Sequence, residues 1–289
     1  GGYTLVETFF LVVALAVAAI PEGLPVAITV ALAVATTRMA KRNVIVRSLT
    51  AVEGLGSCTL IATDKTGTLT CNELTVREVC LAGGDVFPVT GEGFSPQGEV
   101  LLSGRQVNSA ERSDLGEMVR AAVLCNEADL HQRNGDWVWR GDAVDIAALS
   151  LGAKLGIHRG HVLEASPLAA GIPFEPERQF AATFHAAGER VEVFVKGAPE
   201  RVLDMCGEGV SLQDRQRMEE LAMSMAERGL RVLAVARGEL SGELRAEDIP
   251  PQPENLKLLG FLGMIDPLRA GAREAVAECH RAGVLVTMV

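Results

Sequence analysis

The sequence predicts an α/β fold in three parts: one N-terminal transmembrane helix, a parallel-sheet domain, and an α+β domain inserted into the middle of that sheet. Three observations lead there. The run from Phe9 to Ala35 is apolar, with Glu22 as its one charge. Two short runs, "CTLIATD" at 58–64 and "LKLLGFLGMID" at 256–266, read as buried strands, and each delivers an aspartate at its C-terminal end. The long stretch between them is too large for a loop of a compact domain and has its own alternation of helix and strand patterns.

Length and charge bound the rest. The 289 residues leave room for about two domains of the usual size. A 48% hydrophobic share with 22% charged residues excludes a disordered chain. A net charge of -10, with no basic tract longer than "RMAKR", speaks against a nucleic-acid partner. Six cysteines without a CxxC pair fit separate thiols in a reducing compartment. "HRGH", with His158 and His161, lacks further ligands nearby and reads as loop or helix surface. The start "GGYTLVETFF" has no initiator Met or basic leader, and "GVLVTMV" stops inside a strand pattern, so the chain reads as an internal piece of a longer protein.

In chain order, the apolar run comes first. About 27 residues rising about 1.5 Å each can cross a hydrocarbon core of about 30 Å. Arg38, Lys41, Arg42 and Arg47 follow at once, which places the next residues on the cytoplasmic side. The alternative is a core helix of a soluble protein. Inside the run, "IPEGLP" at 20–25 breaks the helix, because its prolines and glycine release backbone carbonyls that must find another partner in a membrane. A carboxylate at midplane costs roughly 2.5 to 3.5 kcal/mol, tolerable where it faces a polar cavity or an ion. Glu22 with the freed carbonyls therefore reads as half of a cation site on a broken helix.

Residues 41–78 read as the first part of the sheet domain, 79–255 as the insertion, and 256–289 as the second part. Within the insertion, Gly83 to Gln106 is Gly-rich and weakly patterned, and Gly141 to Gly156 reads as a helix. "FAATFH" and "VEVFVKG" read as an antiparallel pair around "AAGER". "DRQRMEELAMSMAERG" is an amphipathic helix with Met218, Leu221, Ala222 and Met225 on one face, capped by Ser211 with Asp214. "LRVLAVARG" is a strand, and the Pro-rich 249–256 a linker. After Asp266 come a helix with Pro267 near its start and Gly283 at its stop, and then the strand "VLVTMV". That order predicts a parallel sheet with a crossover.

Asp64 in "DKTGTL" carries the strongest chemical signal. A carboxylate at a strand end, followed by Thr66, Gly67 and Thr68 with amides and hydroxyls that bind phosphate oxygens, is arranged to attack a phosphoryl group. With an ordinary pKa near 3.9 an aspartate is ionised at neutral pH and needs no base. A divalent cation, magnesium first, is required to neutralise the crowded charge.

"DKTGTLT" at 64–70, "PEGLP" at 21–25, "KGAPE" at 196–200 and "DPLR" at 266–269 occur in the order found in P-type cation-transporting ATPases, and the chain resembles that family along essentially its whole length. "RMAKRNVIVRSLTAVEGLGS" looks most like the calcium-pump subgroup. The resemblance implies a haloacid-dehalogenase-like phosphorylation domain, incomplete in this chain, in which Asp64, Lys65 and Thr66 are catalytic and Asp64 is phosphorylated by ATP. Asp64 and Thr66 would hold magnesium. The related phosphatases carry an acid/base Asp two positions after the nucleophile, where this chain has Thr66. A threonine cannot do that work, so the phosphoenzyme should persist.

By the same resemblance the insertion is the nucleotide-binding domain, with ATP contacted by Asp142, Asp145, Phe174, Arg178, Lys196, Gly197, Arg231, Asp266 and Arg269. Phe174 would stack on adenine and Arg231 reach toward phosphates. Asp145 stands where calcium pumps usually carry Glu, and Gln179 where they often carry Lys. The transported cation would lie on Glu22 and the carbonyls of Val17, Ala18 and Ile20, with calcium the first choice and manganese, sodium or protons behind it. Expected partners are that cation, the lipid bilayer and the rest of the parent pump. The expected location is a bacterial plasma membrane with both soluble domains cytoplasmic, and this stretch alone is expected to be inactive. A soluble haloacid-dehalogenase-type phosphatase or nucleotide-binding module is the alternative reading.

Overall fold

In the computed structural model, which describes residues 4–18, 23–207, 211–242, 244 and 248–289, the chain divides into two compact units, 1–63 with 273–289, and 64–272. The first unit begins with two helices, Leu5–Ala18 (α1) and Gly23–Ala40 (α2). Pro25 sits in the first turn of α2, where a missing N–H costs little. The hydroxyls of Thr29, Thr36 and Thr37 donate to the carbonyls of Pro25, Leu32 and Ala33 one turn back, at 2.7, 2.6 and 2.8 Å, and so need no water. Asn43, at φ 60°, closes α2 as the Val44 amide reaches back to the Met39 carbonyl. No side chain of either helix is buried. Leu5–Ala40 is long and apolar enough to cross a membrane. Residues 19–22, which include Ile20 and Glu22 of the expected cation site, lie outside the described residues.

A short helix, Leu49–Gly56 (α3), leads to the strand Leu60–Thr63 (β1). The chain then leaves this unit for residues 64–272. The elements of the second unit are Thr75–Leu81 (β2), Val86–Pro88 (β3), Leu101–Leu102 (β4), Arg105–Gln106 (β5), Ser113–Leu124 (α4), Asp129–Arg133 (β6), Asp136–Arg140 (β7), Ala143–Lys154 (α5), Arg159–Ala165 (α6), Leu168–Ile172 (β8), Phe180–Ala187 (β9), Arg190–Gly197 (β10), Pro199–Asp204 (α7), Leu212–Glu227 (α8), Arg231–Ser241 (β11) and Lys257–Ile265 (β12). The helix Ala272–Arg281 (α9) and the strand Leu285–Met288 (β13) return to the first unit.

The second unit is built on a seven-stranded antiparallel sheet of order β3-β2-β12-β11-β10-β9-β8. Strand alternation supplies two cores. Val191, Val193 and Val195 of β10 join Val202, Leu203, Ala222 and Met225 of α7 and α8 on one face. Phe194, Val235, Leu262 and Met264 pack with Leu115, Met118, Ile146 and Leu151 of α4 and α5 on the other. Lys196 falls on this second face because it is two residues from Phe194. The expected pair "FAATFH"/"VEVFVKG" is β9 with β10, and Ser211 caps α8 by accepting from the Asp214 amide at 3.1 Å.

Two expectations need correction. "LKLLGFLGMID" was expected in a parallel sheet, but β12 pairs antiparallel with β11 and β2. A central strand buried on both faces is a continuous apolar run whichever way its neighbours point, so the pattern could not tell the two apart. The parallel pairing lies instead between β1 and β13, in register from Leu60 with Leu285 to Thr63 with Met288. There β1 is exposed at Leu60 and Ile61 rather than buried, since its sheet has two strands. The hairpin β6–β7 was not anticipated, although Asn134 and Gly135, at φ 54° and 92°, make the two-residue turn that "NG" favours.

His185 on β9 is completely buried, with Nδ1 2.8 Å from the Ser166 carbonyl, and burial holds its pKa below the ordinary value. The folded chain thus resists a proton that the unfolded chain accepts near pH 6.5, so stability falls as pH drops below about 6.5. Urea midpoints between about pH 7 and 5.5 should show this slope, and His185→Gln should flatten it; an unchanged slope would exclude His185 as its source.

Candidate functional site

Two assemblies in the second unit gather the residues singled out in the sequence. The first is a cavity of about 330 Å³ lined by Cys125, Asn126, Glu127, Asp142, Val144, Asp145, Ile172, Pro173, Phe174, Ala181, Ala182, Thr183, Lys196, Arg231 and Leu233. It opens beside the N-terminal end of α5. Asp142 caps that helix, its carboxylate accepting from the Val144 amide at 2.8 Å. Asp145, in the first turn, points one oxygen at the Glu127 amide (3.0 Å) and the other at the Lys196 ammonium.

Lys196 and Asp145 form the electrostatic floor of the cavity. Their side chains are 7% and 13% exposed, so each charge is tolerated because the other is there. Asn126 fastens the Cys125–Ala128 turn to α5, donating to the Asp145 carbonyl and accepting from the Ala128 amide, both at 2.8 Å. Burial pushes the Cys125 thiol up to about 11, so this cavity-lining cysteine stays protonated and unreactive. Phe174, on the loop after β8, also lines the cavity and is 55% exposed. Arg231, at the start of β11, is the cavity cation that has no carboxylate within ion-pair distance among the described residues. The cavity thus offers an apolar slot with one open aromatic face, a neutralised floor and one available cation.

Of the nine expected nucleotide contacts, Asp142, Asp145, Phe174, Lys196 and Arg231 meet here. Arg178 and Gly197 do not line the cavity. Arg178 pairs with Glu175 at 3.3 Å. Gly197 is a packing position, where a Cβ would lie 2.5 Å from the Gln179 carbonyl oxygen. Cys125, Asn126, Glu127 and Thr183 were missed, because they reach the cavity through sheet order and carried no local signal.

The second assembly is the loop after Asp64. The Asp64 carboxylate accepts from the Thr66 amide at 3.2 Å, and Gly67, at φ 71°, turns the backbone as a residue without Cβ can. Asp64, Lys65 and Thr66 are all exposed. "DPLR" holds this loop. Asp266 accepts from the Thr70 hydroxyl at 2.5 Å and from the Glu73 amide at 3.2 Å, and Arg269 donates to the carbonyls of Thr70 and Gly67 at 3.0 and 2.9 Å. Asp266 and Arg269, expected at the nucleotide, therefore brace the loop that carries Asp64. Val17 and Ala18, expected at the transported cation, are the exposed last residues of α1. No group of three or more His, Cys, Asp or Glu placed to hold a metal occurs among the described residues.

A family model described as "P-type ATPase, cytoplasmic domain N" matches residues 114–271, more than half of the chain and the part that contains the cavity. The chain belongs to the P-type cation-transporting ATPases. It is 42% identical to Cation-transporting ATPase pma1 of Synechocystis sp., over 100% of this chain and 33% of the relative. It is 34% identical to the Calcium-transporting ATPase of Bacillus subtilis, again over 100% of this chain and 33% of the relative. With Calcium-transporting ATPase type 2C member 1 of Bos taurus the identity is 36%, over 100% of this chain and 30% of the relative. The chain spans about a third of the length of these relatives. Within this P-type ATPase chain, Lys196→Met should destabilise the second unit by about 3 kcal/mol in urea unfolding, because it strands the Asp145 charge. Adding Asp145→Leu should recover much of that loss, and an equal or greater loss in the double variant would contradict the pairing.

Proposed function

We propose that this chain is the nucleotide-binding and phosphoryl-accepting part of a pump that uses ATP to move a cation across a membrane through an aspartyl phosphate on Asp64. The observation that carries the reading is the meeting of Phe174, Lys196, Asp145, Asp142 and Arg231 around one cavity, in the unit whose braced loop presents Asp64. Adenine would slide against the Phe174 ring, a contact made through the π-face. The Lys196–Asp145 floor would receive an uncharged ring without leaving a free charge beneath it, and Arg231 would draw the phosphates to the mouth.

The Asp64 carboxylate would attack the terminal phosphorus, forming an acyl phosphate and releasing ADP. The Thr66 amide and neighbouring loop amides would hold the phosphoryl oxygens. Magnesium fits the donors present: the Asp64 carboxylate and Thr66 carbonyl are hard oxygens, and an ion that keeps several waters needs few protein ligands. When bound it would offset the charge of the phosphates. Thr66, lacking acid/base chemistry, would leave the acyl phosphate intact long enough to drive a change of state.

In this reading the expected bounds, 41–78 and 256–289 for a haloacid-dehalogenase-like phosphorylation domain and 79–255 for the nucleotide-binding domain, would shift so that β2 and β12 go with the nucleotide-binding domain, in whose sheet they pair. Residues 1–40 are a membrane span broken at "PEGLP", where Glu22 and the carbonyls of Val17, Ala18 and Ile20 would hold the transported ion. The unburied apolar side chains of α1 and α2 support a lipid environment over a soluble core helix. Calcium is the favoured ion, since two of the relatives are named for it.

In the full-length parent, Asp64→Asn should abolish acid-stable phosphate incorporation from labelled ATP; undiminished labelling would refute the mechanism. In this chain, Phe174→Ala should weaken ATP binding roughly tenfold or more in calorimetric titration, the cost of a lost base stack. An unchanged affinity would move the base elsewhere.

A further inference from the structure

The Gly-rich segment Thr90–Gly98 lines neither site, yet it is held closely at both ends and on two sides. Its ends approach so closely that a Cβ on Gly98 would lie 2.2 Å from the Thr90 carbonyl oxygen, and one on Gly91 2.0 Å from that of Gln97. Phe94 is buried in the core against α4 and α5. On one side the loop is fastened to α5: the Ser150 hydroxyl donates to the Ser95 carbonyl at 3.1 Å, and the Lys154 ammonium to the Thr90 carbonyl at 2.7 Å. On the other side it is fastened to the Asp64 loop. The Gly93 amide donates to the Thr75 hydroxyl at 3.0 Å, and that hydroxyl donates to the Glu73 carbonyl at 3.1 Å. The Glu73 carboxylate also lies against Gly93, 2.3 Å from where a Cβ would stand.

The bonds continue without interruption from there. The Glu73 amide donates to Asp266, Asp266 accepts from the Thr70 hydroxyl, and that hydroxyl accepts from the Gly67 amide, two residues before which stands Lys65. At its other end α5 carries Asp142 and Asp145 into the cavity. Eight of the nine α5 positions from Val144 to Gly152 are buried, Asp145 being the exception, and a Cβ on Gly152 would come within 2.5 Å of Val123. A helix so enclosed shifts as one body, not by bending in its middle.

We propose that α5 and the Thr90–Gly98 loop are the mechanical link by which occupancy of the nucleotide cavity sets the position of the Asp64 loop. Thr75 and Lys154 are its positioning residues. The inference rests on the nucleotide reading of the cavity and adds to it a route of coupling. A ligand that holds Asp142 and Asp145 orders the first turn of α5, the far end of α5 orders the Thr90 and Ser95 carbonyls, and Thr75 passes the restraint to Glu73 and the Asp266 brace. From the far end of α5 onward each step is a hydrogen bond, a directional contact of the kind through which packed elements can be coupled.

Hydrogen exchange on the whole chain tests this, with ADP as the probe so that no transferable phosphate reaches Asp64. In the wild-type chain ADP should slow exchange of the Gly67, Thr70 and Glu73 amides by about fivefold or more, the low end of coupling between distinct sites. Thr75→Val should lose that protection while calorimetry shows unchanged ADP affinity, and Thr75→Ser, which keeps the hydroxyl, should retain it. Lys154→Met provides a second break from the opposite side of the loop, read in the same way, should Thr75→Val fold poorly. ADP binding without protection at these amides overturns the link alone, as does protection that survives both Thr75→Val and Lys154→Met. Absence of ADP binding by the wild-type chain overturns the nucleotide reading and this inference with it.

Discussion

The antiparallel pairing of β12 with β2 is the constraint on which the second unit depends. It closes a loop of nearly two hundred residues, since the Glu73 amide meets the Asp266 carboxylate across 193 positions of sequence. Closing so long a loop costs roughly 5 kcal/mol beyond a constant, offset here by two central strands buried on both faces. Because both ends of the excursion meet at that pair, everything between them can fold as a unit of its own. The strand pair also fixes the spot where the chain passes from Asp64 into the sheet and back out through "DPLR". Asp266 and Arg269 stand there and hold the Asp64 loop by four hydrogen bonds.

From that sheet the cavity follows. The alternation of β10 that sends Val193 and Val195 to one core sends Lys196 to the other face. A buried ammonium there requires a partner, and Asp145 provides it. The shorter Asp at this position, where calcium pumps usually carry Glu, still reaches Lys196 from the first turn of α5 and makes an ion pair at the cavity floor. What remains open to a ligand is an apolar slot, the Phe174 ring and Arg231. Burial, not the count of charges, thus leaves an apolar face and one cation as separate parts of the cavity.

The local elements were largely readable. The β9–β10 hairpin, the α5 helix and the capped amphipathic α8 follow from alternation, from Asp142 before an apolar stretch, and from Ser211 with Asp214. The strand, helix, strand order around α9 called for β13 beside β12, whereas β13 pairs in parallel with β1, a partner more than two hundred positions away. The direction of β12 was not readable, because nine nearly continuous apolar residues satisfy a central strand in either sheet type. Asn126, Glu127 and Thr183 at the cavity were equally illegible. Each sits there because separate strands and a turn converge, and no spacing along the chain records that convergence.

The sequence by itself therefore determined the family, through four short motifs in order, and the chemical identities that matter: an aspartate before a Thr/Gly loop, and a carboxylate between prolines in an apolar run. These are local properties, set by which atoms a residue carries and which neighbours it has in the chain. The tertiary structure alone decided that Asp266 and Arg269 brace the Asp64 loop, that Lys196 is neutralised by Asp145, and that a Gly-rich segment ties α5 to that brace. Those depend on pairings across 193, 51 and 64 positions, where hydrogen bonds and buried charges are satisfied by whatever the fold brings near.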